Sequence, residues 1–226
     1  MKTCLLKPLG NLVIALLLMM PVIAQPLADS GLQEGKDYEM VRPPQPTADP
    51  SKIEVIAFFW YGCPHCYHLE PDLNAWLKKK PANVEFIREP AVFDPQSPWA
   101  AHAKAFYTAQ VLGIIDKVHT DFYEAIQNQK RKLQSEEDLA EFFKEHGVSE
   151  DEFRKAYKSF AVDTKMRQAA VLAPRYGIKG TPALVINGKY RTSASMTKSF
   201  PRLIEVINAL VELESGSQPT PKAQKK

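Results

Sequence analysis

Between Ile53 and Trp60 the chain reads IEVIAFFW, with almost no polar position. A short run of branched and aromatic residues like this predicts a strand covered on both faces. It stops at Gly62, and beyond it the apolar positions switch to helical spacing at Leu69, Leu73, Trp76 and Leu77. Pro64 suits the first position of that helix, where the missing N–H has no partner to lose. Pro71 falls inside the helix and predicts a kink. Val84 to Glu89 reads as another strand, so strand, helix and strand begin a parallel βαβ unit. Ahead of them, Gly35 to Met40 predicts an edge strand stopped by Pro43-Pro44.

From Ser97 to about Tyr176 nearly every apolar position has helical period. Trp99, Ala103 and Phe106 open the series, with Gly113 as a C-cap; Val118, Phe122 and Ile126 follow, then Leu139, Phe142 and Phe143 up to Gly147. Ser149 and Glu152 have the spacing of a capping box, opening a helix with Phe153, Ala156, Tyr157 and Phe160 on one face. A longer helix passes through Met166, Ala170 and Ala173. Strand signals then return at Ala183 to Ile186, and Asn187-Gly188 before Lys189 to Arg191 predicts a hairpin. A last amphipathic helix carries Leu203, Val206, Ile207, Leu210 and Val211. The expected architecture is α/β. Residues 25–96 and 174–214 form one domain with a central mixed sheet and flanking helices, 97–173 are an inserted all-helical domain, and 215–226 are a disordered tail rich in Ser, Pro, Gln and Lys.

The N-terminus changes the picture of where the protein works. Lys2 and Lys7 precede an apolar run from Leu12 to Met20, and Pro21-Val22-Ile23-Ala24 follows. This is the pattern of a cleavable secretory leader over 1–24, with an apolar part short for a membrane span; the competing reading is an uncleaved N-terminal anchor. The 226 residues are 45% hydrophobic and 24% charged, which suits a globular protein with a real core. Removing the leader with its two lysines takes the formal charge from +3 to +1, which gives no reason to expect a nucleic-acid partner.

Cleavage after Ala24 would also remove Cys4, leaving Cys63 and Cys66 as the only cysteines. A disulfide closing so short a loop adds little stability, so the pair points to chemistry. In Cys63-Pro64-His65-Cys66, Cys63 would lie at a helix N-terminus, where free N–H groups and the dipole favour a thiolate. His65 adds a ring donor or a positive charge near that sulfur. Cys66, one turn further on, should be more buried and less acidic, which suits the resolving role. Stabilising the Cys63 thiolate stabilises the reduced protein and makes its disulfide an oxidant. Cys63, Cys66, His65 and His68 would also suit a zinc or copper site, but no second Cys-x-x-Cys is present to complete a structural zinc centre. His102, His119 and His146 have no evident partners and read as surface or packing residues of the helical insertion.

The run Phe58-Phe59-Trp60-Tyr61-Gly62-Cys63-Pro64-His65-Cys66-Tyr67, with Tyr176-Gly177-Ile178-Lys179-Gly180-Thr181-Pro182-Ala183 far downstream, resembles the DsbA family of periplasmic disulfide oxidoreductases. The resemblance implies a thioredoxin-like fold and a low pKa at the first cysteine of the motif. It also implies a cis-proline at Pro182 beside the disulfide, and a backbone at Thr181 that receives an extended substrate peptide. It places an acidic residue at Glu70, where proton movement at Cys66 would be tuned. Two positions depart from the family pattern: Thr181 stands where strong oxidases carry valine, and Ala57 stands where a buried acid is common. The implied function is a periplasmic oxidoreductase that donates its disulfide to unfolded exported polypeptides and is reoxidised by a DsbB-like, quinone-linked membrane partner. No cofactor beyond the redox-active disulfide and no metal is implied. The short stretch ahead of Ile53 has no room for the dimerisation domain of isomerase relatives, so a monomer is expected. Thr181 keeps a reductase or isomerase as the alternative, beside a metal-binding thioredoxin-like protein and a peptide-binding chaperone.

Overall fold

The apolar run at Ile53 folds into an interior strand of a mixed sheet. The computed structural model describes residues 31–217, so the expected leader, with Cys4, and positions 218–226 of the expected tail lie outside the described residues. Strands β1 (Glu39–Met40), β2 (Ile53–Phe59), β3 (Val84–Pro90), β4 (Ala183–Ile186) and β5 (Tyr190–Ser193) form one sheet in the order β1-β5-β4-β2-β3. The β2–β3 pair is parallel, and β2–β4, β4–β5 and β1–β5 are antiparallel. All seven residues of β2 are buried. Ile53, Val55 and Ala57 face a core with Leu73, Leu203 and Val206, while Ile56 and Phe58 face a second one with Ala173, Tyr176 and Ile178. Alternate residues of a strand point to opposite faces, so a strand buried on both is apolar at nearly every position; Glu54, the exception, accepts from the Ala48 N–H at 3.4 Å.

Helix α1 (Pro64–Leu77) follows β2 and keeps Pro64 in its first turn, with Pro71 inside it. Five helices lie between β3 and β4: α2 (Pro98–Val111), α3 (Ile115–Gln127), α4 (Glu136–Glu145), α5 (Glu150–Tyr157) and α6 (Phe160–Arg175). Their aromatic side chains build a separate core around Phe106, Phe122, Phe142, Phe143 and Phe153. Each such ring contributes about 1.5–3 kcal/mol on leaving water. That core reaches back to Phe59, Tyr61, Cys63 and Cys66, so the helices pack onto the end of β2 and the start of α1. The capping box at Ser149 and Glu152 is formed on both sides.

Two expectations need correction. Phe160 does not join the face of Phe153 and Tyr157: it is 80% exposed, because α5 ends at Tyr157 and Ser159 caps a new helix by accepting from the Val162 N–H. The final elements are α7 (Ala194–Thr197) and α8 (Phe200–Ser217), and α8 runs past the expected start of the tail. Glu214 explains the extension, since it is buried and held by the Asn187 side chain and by Lys189 Nζ at 2.7 Å. Asn187 and Gly188 both have positive φ in the β4–β5 turn. A Cβ on Gly188 would meet the Gln45 carbonyl oxygen at 2.1 Å, so glycine is required there for space as well as for conformation.

Candidate active site

The strand-to-helix turn carries the chemistry. Cys63 is the N-cap of α1: its N–H donates to the Trp60 carbonyl at 2.9 Å, and its own carbonyl accepts from Cys66 and Tyr67. The side chain at this position sits over the unpaired N–H groups of the first turn. Both cysteines are free, and both are buried. As a thiol, Cys63 donates to the Thr181 carbonyl at 3.3 Å, which brings the turn against the loop before β4. The Thr181–Pro182 peptide bond is cis.

The sulfurs have opposite environments. The Cys63 thiol is held down at about 5, chiefly by a hydrogen bond from the Cys66 side chain; Thr181 and the backbone N–H groups of Cys66 and His65 add to this, against the cost of burial. Cys66 is pushed well above the ordinary thiol value by burial, then by its hydrogen bond to Cys63 and by the charge there. The Thr181 side chain favours the ionised form of both. His65 acts on Cys63 through its backbone N–H, whereas a ring contact was expected; the imidazole is exposed and lines the cleft beside the motif.

Beneath Cys66 lies a buried network of which the sequence singles out only Glu70. Glu70 points inward, pairing with Arg88 Nη2 at 2.8 Å and facing His119 Nε2 at 3.4 Å. Burial opposes its charge, but His119 and Arg88 outweigh that and hold its carboxyl down at about 2. His119 is buried on α3, and its Nδ1 pairs with the Tyr61 hydroxyl at 2.7 Å. A carboxylate can only accept, so the imidazole turns its N–H toward Glu70 and accepts from Tyr61 at the other nitrogen. The expectation that His119 lacks partners is therefore wrong. His146 is likewise paired, with Asp121 at 3.1 Å, and His102 Nε2 meets the Lys132 carbonyl at 3.0 Å. Ala57, Cys66, Glu70, Arg88 and Tyr123 line a small cavity of about 10 Å³. The helical segment also braces the turn directly: Gln127 donates to the Tyr61 carbonyl at 2.7 Å, and Trp99 stacks on Trp60 at 4.1 Å. No sequence spacing signals these contacts.

A cleft of about 870 Å³ opens beside His65, between the loop at Gly177–Ala183 and the segment Arg191–Phe200. Its floor is organised by Arg191, which donates to the Tyr176 and Gly177 carbonyls and pairs with Glu39 at 2.6 Å. Gly177 has φ +66, and a Cβ there would lie 1.8 Å from Arg191 Nη1, so only glycine allows this clamp. Among the described residues no group of three or more His, Cys, Asp or Glu side chains is placed to hold a metal ion, and no helix is long and apolar enough to cross a membrane.

Residues 54–205 match the family model of the DSBA-like thioredoxin domain. The thiol:disulfide interchange protein DsbA of Azotobacter vinelandii is 40% identical over 195 residues, covering 86% of this chain and 90% of that protein. The protein of the same name from Burkholderia cepacia is 42% identical over 179 residues, with 79% and 84% covered. The crystal structure of Pseudomonas aeruginosa DsbA superposes with a TM-score of 0.78 at 37% identity, covering 82% of this chain and 96% of that one.

Proposed function

The chain belongs to the DsbA family of thioredoxin-fold proteins and is a thiol:disulfide oxidoreductase, and from that premise we propose that it works as an exported disulfide donor through Cys63 and Cys66. The observation that carries this reading is the asymmetry of the two sulfurs, one held at about 5 at a helix N-terminus and the other buried and held protonated. A thiol of low pKa is a good leaving group, and a stabilised thiolate favours the reduced form.

In the forward reaction a substrate thiolate attacks Cys63 Sγ. The substrate–Cys63 bond forms as the Cys63–Cys66 bond breaks, and Cys66 leaves with the electron pair and takes up a proton. A second substrate thiolate then attacks the substrate sulfur of the mixed disulfide, and Cys63 departs as the thiolate. The substrate loses two electrons and the protein gains them. Pro64 sets the first turn of α1, and Thr181 with Pro182 presents the backbone along which an extended substrate aligns. Glu70, ionised at every working pH, fixes His119 and Arg88 beside Cys66 and is too weak a base to carry the proton.

Substrates in this reading are unfolded polypeptides in the periplasm, reached after cleavage of the 1–24 leader. Reoxidation falls to a quinone-linked membrane protein of the DsbB type, and the redox-active disulfide is the only cofactor required. The test is the reaction of the oxidised protein with a reduced, unfolded substrate. Cys66→Ser should accumulate a mixed disulfide through Cys63 that resolves poorly. A Cys66→Ser protein that traps no substrate, or a wild-type disulfide no more oxidising than that of a thioredoxin, would overturn the reading.

A further inference from the structure

The cleft beside His65 has an uneven charge. Lys179 stands exposed on the loop that leads to Thr181, and Lys198 stands exposed on the opposite wall; neither has an ion-pair partner among the described residues. Glu39 is the one carboxylate among the lining residues, and Arg191 neutralises it with contacts at 2.6 and 2.8 Å. The other donors of Arg191 are spent on the Tyr176 and Gly177 carbonyls. Two positive charges, one on each wall, are therefore left without a counter-ion.

Lys198 is also in an unusual place. It terminates α7 with φ +65, a left-handed conformation that favours Gly or Asn. The backbone gives no reason for a lysine there, whereas a charge overlooking the cleft does. The remaining lining suits a chain segment: Pro182 and Met196 offer apolar surface, and Ser193 and Ser195 offer hydroxyls. The volume of about 870 Å³ exceeds the needs of one side chain and falls in the range of ligand-binding clefts. The cleft borders His65 and Thr181, next to Cys63, so a substrate bonded to Cys63 lies beside the cleft that both lysines line.

We propose that Lys179 and Lys198 make this cleft selective for extended polypeptide segments that carry Asp or Glu close to the reacting cysteine. The inference rests on the disulfide-donor reading and adds a substrate preference to it. In extended chain each residue advances about 3.3 Å, so the residues flanking the cysteine are the ones that enter the cleft.

The experiment is stopped-flow oxidation of synthetic peptides by the full-length mature protein. The peptides differ only in whether the cysteine is flanked by Glu, Gln or Lys. The Glu peptide should react roughly five- to tenfold faster than the Lys peptide at low ionic strength, and the ratio should shrink toward one in high salt. In a Lys179→Glu, Lys198→Glu protein the ratio should invert. Because the ratio is taken within each protein, a general loss of activity in the variant cancels. Equal rates for the three peptides would overturn the charge preference while leaving the donor reading standing. So would a preference that persists in the double variant. If neither the peptides nor dithiothreitol were oxidised, the donor reading would fail, and the inference with it.

Discussion

Thr181 is the residue on which the redox character of this protein can be tested most directly. Its side chain favours the ionised form of Cys63, whose thiol sits at about 5. Thr181→Val keeps the branched shape and removes the hydroxyl. A hydrogen bond to a charged group contributes about 1.5–3 kcal/mol, which corresponds to roughly one to two pKa units. Cys63 should therefore rise to about 6–7 in the variant. Since 1.4 kcal/mol corresponds to about 30 mV for a two-electron couple, the disulfide should become less oxidising by roughly 30–60 mV at neutral pH. The assay is the ultraviolet absorbance of the thiolate against pH, with equilibration in glutathione buffers for the potential. Thr181→Ser, which restores a hydroxyl, should return both values toward those of the wild type. A valine variant whose Cys63 pKa stays near 5, or falls, would refute the claim that this hydroxyl stabilises the thiolate.

Three further outcomes follow from the buried charges. The Cys63 thiol is depressed from about 8.5 in an unfolded chain to about 5. It therefore stabilises the reduced fold by about 3 kcal/mol at pH 7, an advantage lost as pH falls through 5; the reduced form should melt several degrees above the oxidised form at pH 7, and the gap should close in acid. Glu70→Gln should cost about 3 kcal/mol in urea unfolding at pH 7 by leaving Arg88 without its counter-charge. Because the Glu70 carboxyl is held at about 2, that difference should narrow only as pH falls below about 4; a deficit that does not change with pH would argue for lost packing instead. Glu89 has the opposite sign: burial raises it to about 7, despite the Tyr107 hydroxyl at 2.6 Å and Lys165, so stability should decline as pH rises from about 4 to 7. Glu89→Gln keeps an acceptor for Tyr107 and should gain about 1–3 kcal/mol at pH 8 and almost nothing at pH 4, by the same unfolding measurement.

What could be read from the chain beforehand depended on short-range physics. The run at Ile53, Pro64 at the head of α1, the Ser149–Glu152 cap and the Asn187-Gly188 turn each state their structure within a few residues. The helix N-terminus under Cys63 follows from the same local logic. Phe160 was misassigned because hydrophobic period alone does not show where one helix ends and the next is capped; Ser159 breaks the register. The Tyr61–His119–Glu70–Arg88 chain was invisible for a different reason. Its members lie on the motif turn, α3, α1 and β3, and no spacing rule links residues that only packing brings together. Glu70 was singled out by position, but its partners, which set its charge, were not. The end of α8 was missed for the same reason, since Glu214 is anchored by residues of the β4–β5 turn.

The two sulfurs owe their surroundings to different lengths of chain. Cys63 takes its partners from the motif itself and from Thr181, whereas Cys66 shares its cavity with Tyr123 of α3 and with Glu70, which α3 holds through His119. The attacked sulfur and the resolving sulfur thus answer to different parts of the chain, although each also acts directly on the other. Exchange of the 98–175 helical segment between relatives would act first on the burial of Cys66, and through its hydrogen bond on Cys63. Substitutions at Thr181 in the loop before Pro182 would act on both sulfurs directly. A lineage, or a protein engineer, has two handles on one disulfide, linked through the contact between its sulfurs.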